Sequence, residues 1–132
     1  MSDPTNFNDL GRSFSAAFRG LWLIFRTERN ARIHLAAAVL VTIAGCFLGI
    51  SKTDWIIILL LFAIVIAAEM INTAIEKLAD VVESGFSERV RDLKDISAGA
   101  VLWTSMVSVI IGIIIFAPEF LEFIRINLNQ QP

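Results

Sequence analysis

One cysteine, one histidine and no surplus of positive charge mark this 132-residue sequence. The single Cys46 excludes an intrachain disulfide and any thiolate metal site. With His34 alone there is no histidine cluster either, so a bound metal would be held by oxygen atoms. Lys and Arg number 11 against 13 Asp and Glu, a formal net charge of −2. No basic patch is present that could grip a phosphate backbone, which excludes a nucleic-acid binder. The chain also lacks a G-x-x-x-x-G-K-[ST] phosphate loop, any protein-kinase signature, an internal repeat and a second domain.

What the chain has in excess is apolar side chains, 56% of its residues, against roughly 45–50% in soluble domains. Three runs approach the ~20 apolar residues that a bilayer core requires of a helix. They are IHLAAAVLVTIAGCFLGI (33–50), WIIILLLFAIVIAAEMINTAI (55–75) and AGAVLWTSMVSVIIGIIIFA (98–117). The fold class they define is an all-α membrane protein with three transmembrane helices. IAGC looks like a lipoprotein cleavage box, but a long lead precedes it where a signal peptide has a short basic one. Cys46 is therefore read as a small residue packed within a span.

Phe7, Leu10, Phe14, Phe18, Leu21 and Phe25 fall on one helical face, so residues 7–25 form an amphipathic helix lying flat on the cytosolic surface of the bilayer. SKTD (51–54) reads as a tight outer turn. The longer connection EKLADVVESGFSERVRDLKDIS breaks at Gly85, with Ser87 or Asp92 capping the helix that follows. Pro118 is expected to close the third span, leaving 119–132 as an interfacial tail or a frayed end. With the N-terminus in the cytosol, nine of the 11 lysines and arginines face inward, and only Lys52 and Arg125 face out.

AEMINTAIEKLAD (68–80) places ionisable groups at the inner end of the second span. With Glu69 at 0°, Asn72 lies near −60°, Thr73 near +40°, Glu76 near −20° and Asp80 near +20°, at ~100° per residue. They form one polar stripe. At ~1.5 Å per residue Glu69 lies about 21 Å along from Trp55, Glu76 about 31 Å and Asp80 about 37 Å. In a ~30 Å core Glu69 is inside the membrane, Glu76 at its inner edge and Asp80 beyond. A carboxylate at mid-span costs roughly 2.5–3.5 kcal/mol, which points to a functional group or to a buried partner of Arg32 or Asn30. Glu69 suits a general base. Glu76, near water, suits Mg²⁺, which takes one or two carboxylates plus substrate phosphates.

Glu28, Lys94 and Asp95 gather at the same membrane face, with arginines around them. A buried base beside a cation site is what phosphoryl transfer to a membrane alcohol needs. A carboxylate-lined transporter or ion pathway is the alternative, and the residues alone leave both open. Three helices offer little interior for Glu69, Asn72 and Glu76, so neighbouring subunits are expected to add walls. Ala98, Gly99 and Ala100 would permit the close approach.

EMINTAIEKLAD, TERNARIH and LKDISAGAVL together resemble the small prokaryotic diacylglycerol kinase family, over about residues 12–118. The resemblance implies a homotrimeric bundle in the bacterial inner (plasma) membrane, with a surface helix and three spans per protomer and active sites shared between subunits. It implies transfer of the γ-phosphate of ATP to a lipid alcohol, undecaprenol or diacylglycerol. By position, Glu69 would be the general base with Asn72 supporting it, Glu28 and Glu76 would hold Mg²⁺ and ATP, and Lys94 and Asp95 would meet the nucleotide. TERN and RIH are similar to the undecaprenol kinase branch. Ala79 stands where the family has a β-branched residue, and GFSERV (85–90) departs from its acidic and aromatic pattern, so no role is carried onto Gly85, Phe86 or Ser87.

Overall fold

A computed structural model describes residues 7–83, Gly85 and 87–129, and Phe86 lies outside them. Four helices follow one another: α1 (Phe7–Thr27), α2 (Arg29–Leu48), α3 (Lys52–Val82) and α4 (Glu88–Asn129). The last three are each long and apolar enough to cross a membrane. α1 and α2 are separated only by Glu28, whose extended backbone (φ −95°, ψ 124°) redirects the chain. α1 keeps Leu10, Phe14 and Phe18 uncovered, and it is anchored at its end by Ile24, which is buried. An uncovered apolar stripe of this kind is what an interfacial helix presents to lipid.

α2 ends where Gly49 adopts the left-handed conformation (φ 71°) and donates its N–H to the Gly45 carbonyl at 3.0 Å. That conformation is strained for residues with a Cβ. Ser51 then caps α3. Its hydroxyl accepts from the Asp54 N–H, and the Asp54 carboxylate accepts from the Ser51 N–H. This capping box satisfies two otherwise unpaired N–H groups. The turn is therefore Gly49 to Ser51, and Lys52, Thr53 and Asp54 belong to the helix, a correction to SKTD as a loop. The S-x-x-D spacing was the available signal. Gly45 completes the hairpin by letting the Trp55 ring and Ile50 reach the α2 backbone, since a Cβ there would lie 2.9 Å from Ile50 and 3.0 Å from Trp55. Ile50, Ile58 and Ile115 form the core beside this turn.

α3 outruns its span and carries Glu76 and Asp80 on helix that continues to Val82. It packs chiefly against α4. Ser87 directly precedes α4 and its carbonyl accepts from the Arg91 N–H at 3.0 Å, whereas Asp92 lies inside the helix. Pro118 does not close α4. It sits within a helix that runs on to Asn129, and Phe123 beyond it meets Phe47 of α2 edge-on at 5.2 Å between ring centres. A proline removes one backbone N–H donor from a helix, and here the helix continues through that loss to the aromatic contact.

Most apolar side chains of α2 and α4 point outward, including Leu40, Phe47, Trp103 and Ile114. In water that would be an adhesive surface, whereas in a bilayer it is the lipid-facing or subunit-facing one. Cys46 is also exposed, not packed inside. Ala98, Gly99 and Ala100 face out too, and nothing in the chain lies within 4 Å of where a Gly99 Cβ would be.

The hairpin makes a prediction. Gly45→Ala should lower stability by about 1–3 kcal/mol through overpacking, although alanine is the better helix former. Gly11→Ala, with open space around it, should not. Thermal unfolding in detergent decides, and equal melting temperatures for Gly45→Ala and the parent would contradict the packing.

Candidate functional site

The polar stripe of α3 faces α4. Glu69 is 2% exposed, Asn72 6% and Thr73 7%, and Ser97 of α4 joins them at 7%. These four are the buried polar residues among those described. Enclosing Glu69 and Asn72 thus needs no second subunit, while Glu76 remains half-buried and open on one side.

A directed hydrogen-bond chain crosses the α3/α4 seam. The Ser97 hydroxyl donates to Asn72 Oδ1 at 2.6 Å, and Asn72 Nδ2 donates to Glu76 Oε1 at 3.0 Å. The i,i+4 spacing puts Asn72 and Glu76 one turn apart on one face. Toward the C-terminal end of α3 Lys94 of α4 donates to Asp80 of α3 in an ion pair. Charge-assisted and neutral bonds together fix the seam at the depth where the apolar packing ends.

Glu69 takes no part in that chain. Its Oε2 is buried without a hydrogen-bond partner among the described residues. Burying a polar atom unpaired costs about 1–3 kcal/mol, so a structural explanation needs a partner. Arg32 and Asn30 are both exposed and neither bonds to Glu69, which overturns the reading of Glu69 as their buried partner.

Glu28 sits at the α1/α2 break. Its Oε1 accepts from the Thr27 hydroxyl at 2.9 Å and from Lys77 Nζ at 3.1 Å. The Thr27 hydroxyl first, and Lys77 after it, holds the Glu28 carboxyl below its ordinary value. Lys77 thereby ties α3 to the start of α2. Asp95 is exposed and is joined to no partner among the described residues. The structure therefore joins Asn72 to Glu76 on the helix face that carries the buried Glu69, ties Glu28 to Lys77, the neighbour of Glu76, turns Lys94 toward Asp80, and leaves Asp95 exposed.

Two residues escaped the sequence reading. Lys77 was absorbed by the inward bias of basic residues, and its neighbour Glu76 gave no hint of a contact 49 positions away. Ser97 lies three residues after Lys94, a spacing that puts both on one helical face, but serine at the head of an apolar run carries no distinctive signal.

Between α2, α3 and α4 lies a cavity of about 590 Å³, walled by apolar residues such as Val41, Phe62, Val65 and Phe116. Val65 is one turn from Glu69, and His34 is among the lining residues. The hydroxyls of Thr42, Thr104 and Ser108 bond back to carbonyls of their own helices. Ser105, also on the cavity wall, keeps a buried hydroxyl oxygen with no hydrogen-bond partner among the described residues.

The fold is a helical protein with three membrane-length helices, whose buried carboxylate Glu69 lies on the end of α3 that also carries Glu76 and Asp80. The chain belongs to the prokaryotic diacylglycerol kinase family, whose model matches residues 15–116, and it is a lipid kinase of that family. It is 39% identical to the undecaprenol kinase of Bacillus subtilis over 90% of this chain and 99% of that one. A diacylglycerol kinase of Synechocystis is 33% identical over 83% of this chain and 63% of its own length. The diacylglycerol kinase of Escherichia coli is 24% identical over 90% of this chain and 98% of its own.

Glu28 supplies a pH prediction. A depressed carboxyl adds stability above its ordinary value of ~4.3, and that stability is lost as pH falls through the lower folded value. Thr27→Val with Lys77→Met should raise the Glu28 midpoint toward the ordinary value, read by NMR of labelled carboxyls. An unmoved midpoint would show that neither contact holds it. Exposed pairs contribute about 0–1 kcal/mol, so neutral-pH stability should change little.

Proposed function

We propose that this chain transfers the γ-phosphate of ATP to the hydroxyl of a membrane lipid alcohol, undecaprenol in preference to diacylglycerol. The observation that carries the proposal is the buried, unpartnered Oε2 of Glu69, one turn from an apolar cavity and two turns from a carboxylate at the membrane edge. The preference for undecaprenol rests on the greater identity to the undecaprenol kinase of Bacillus subtilis.

Glu69 acts as general base. It takes the hydroxyl proton as the alcohol oxygen bonds to the γ-phosphorus. The bond from that phosphorus to the bridging oxygen breaks, and its electron pair leaves with ADP. Asn72 supports the site by holding Glu76, and Lys94 and Asp95 lie on the side where the nucleotide arrives from the cytosol. Lys94 would exchange Asp80 for phosphate.

The donor set fits Mg²⁺. Glu28 and Glu76 offer carboxylate oxygens, and no three metal-binding side chains close into a cage among the described residues. Mg²⁺ is typically held by one or two carboxylates with phosphates and water completing its shell. When bound it would neutralise charge on the β- and γ-phosphate oxygens. The outward apolar faces of α2 and α4 and the family together support a homotrimer, embedded in the bacterial inner membrane with its N-terminus in the cytoplasm.

A transporter or ion relay would need polar groups through the middle of several spans. Here the mid-span hydroxyls of Thr42, Thr104 and Ser108 are spent on their own backbones, and the buried unpaired oxygen of Ser105 stands alone at that depth, which favours the kinase.

Purified protein in lipid should phosphorylate undecaprenol faster than diacylglycerol in side-by-side assays. Glu69→Gln should lower kcat at least 100-fold, the scale of general-base catalysis, without dissociating the oligomer. An active Glu69→Gln enzyme would remove the base assignment, and a preference for diacylglycerol would remove the substrate assignment alone.

A further inference from the structure

Ser97 is the one buried polar residue that α4 contributes to the seam, and no role assigned so far uses it. Its Oγ lies 2.6 Å from Asn72 Oδ1 and 2.9 Å from the Lys94 carbonyl. A hydroxyl has one proton to donate. The question is which oxygen receives it.

Glu76 answers it. Asn72 Nδ2 donates to Glu76 Oε1 at 3.0 Å, so the amide is oriented with nitrogen toward Glu76 and oxygen toward Ser97. Two oxygens at 2.6 Å repel unless a proton lies between them. The Ser97 proton is thus committed to Asn72, and the Lys94 carbonyl has at most a share of it, as in ordinary local back-bonding of helical serines. The three residues form a line in which each donor points toward Glu76.

We propose that Ser97 is a positioning residue for phosphotransfer, which locks the amide of Asn72 in the one orientation that presents an N–H to Glu76. The inference rests on the reading of Asn72 and Glu76 as parts of the nucleotide site. Without the Ser97 hydroxyl, the Asn72 oxygen is buried and unpaired, and a half-turn of the amide relieves it. That half-turn sets the amide oxygen against the Glu76 carboxylate. The two acceptors repel, and Glu76 leaves the position in which it would receive Mg²⁺ with ATP.

Because the effect passes through Asn72, it separates from packing by a double-mutant cycle. Initial rates of the full chain in lipid would be measured for the parent, Ser97→Ala, Asn72→Ala and the double variant, with the KM for MgATP and for the lipid alcohol taken separately. Ser97→Ala should raise the KM for MgATP about tenfold, the scale of one buried unpaired acceptor, and leave the KM for the lipid within about twofold. Added to Asn72→Ala, the same change should have no further effect. Melting temperatures in detergent report folding, and Ser97→Cys, of similar size and a weak donor, takes the place of an alanine variant that fails to fold.

An equal penalty in both backgrounds would show that Ser97 acts independently of Asn72 and overturn the inference. So would an unchanged KM for MgATP in Ser97→Ala beside an impaired Asn72→Ala, which leaves the nucleotide-site reading standing. Parent-like kinetics in Asn72→Ala would overturn both together.

Discussion

A carboxylate inside the low-dielectric zone of a bilayer must be enclosed, and the enclosure of Glu69 is the constraint on which the rest of this structure depends. The second span cannot face lipid along the stripe of Glu69, Asn72, Thr73 and Glu76, so α3 turns that stripe onto α4. The seam then needs polar groups from α4 to match. Ser97 supplies a donor within the membrane zone and Lys94 a charge at its edge. Beyond Ser97 the span of α4 is mostly apolar, and its hydroxyls at Thr104 and Ser108 bond to carbonyls of their own helix instead of to α3.

The polar groups are not equally satisfied, and the difference follows their depth. At the exposed end of the seam Lys94 with Asp80, and Lys77 with Glu28, make ion pairs that water can weaken and re-form at little cost. One step deeper, Asn72 and Glu76 are held by a directed chain. Glu69 keeps an oxygen with no partner, as does Ser105 further along α4. Such an orphan in a native interior is where a reacting group belongs, since the atom that completes its bonding arrives with the substrate. In the proposed reading, exchangeable ion pairs meet the nucleotide and the unpaired oxygen meets the alcohol.

Much of this was legible in the chain. The three apolar runs gave three membrane-length helices, and the angular positions of Glu69, Asn72 and Glu76 placed them on the face that packs against α4. Boundaries were less legible, for physical reasons. Asp54 sits in a short polar stretch between two apolar runs, which reads as a turn, whereas its spacing to Ser51 makes it the partner in a capping box. Pro118 looked like a stop, but a proline forfeits one donor only, and a helix that gains the Phe47 contact continues past it. The contacts of Lys77 with Glu28 and of Ser97 with Asn72 join residues 49 and 25 positions apart. Periodicity within one helix carries no information about such pairs.

The central claim is that Glu69 meets its substrate from within the bilayer, at the apolar cavity and not from the cytosol. Carboxyl labelling by two carbodiimides, one membrane-partitioning and one confined to water, tests it most directly, with modified peptides mapped by mass spectrometry. The account predicts that the membrane-partitioning reagent modifies Glu69, that the water-confined one does not, and that added lipid alcohol protects Glu69 while leaving Glu28 and Asp95 unaffected. Modification of Glu69 from the aqueous side, with no protection by the lipid alcohol, would contradict it.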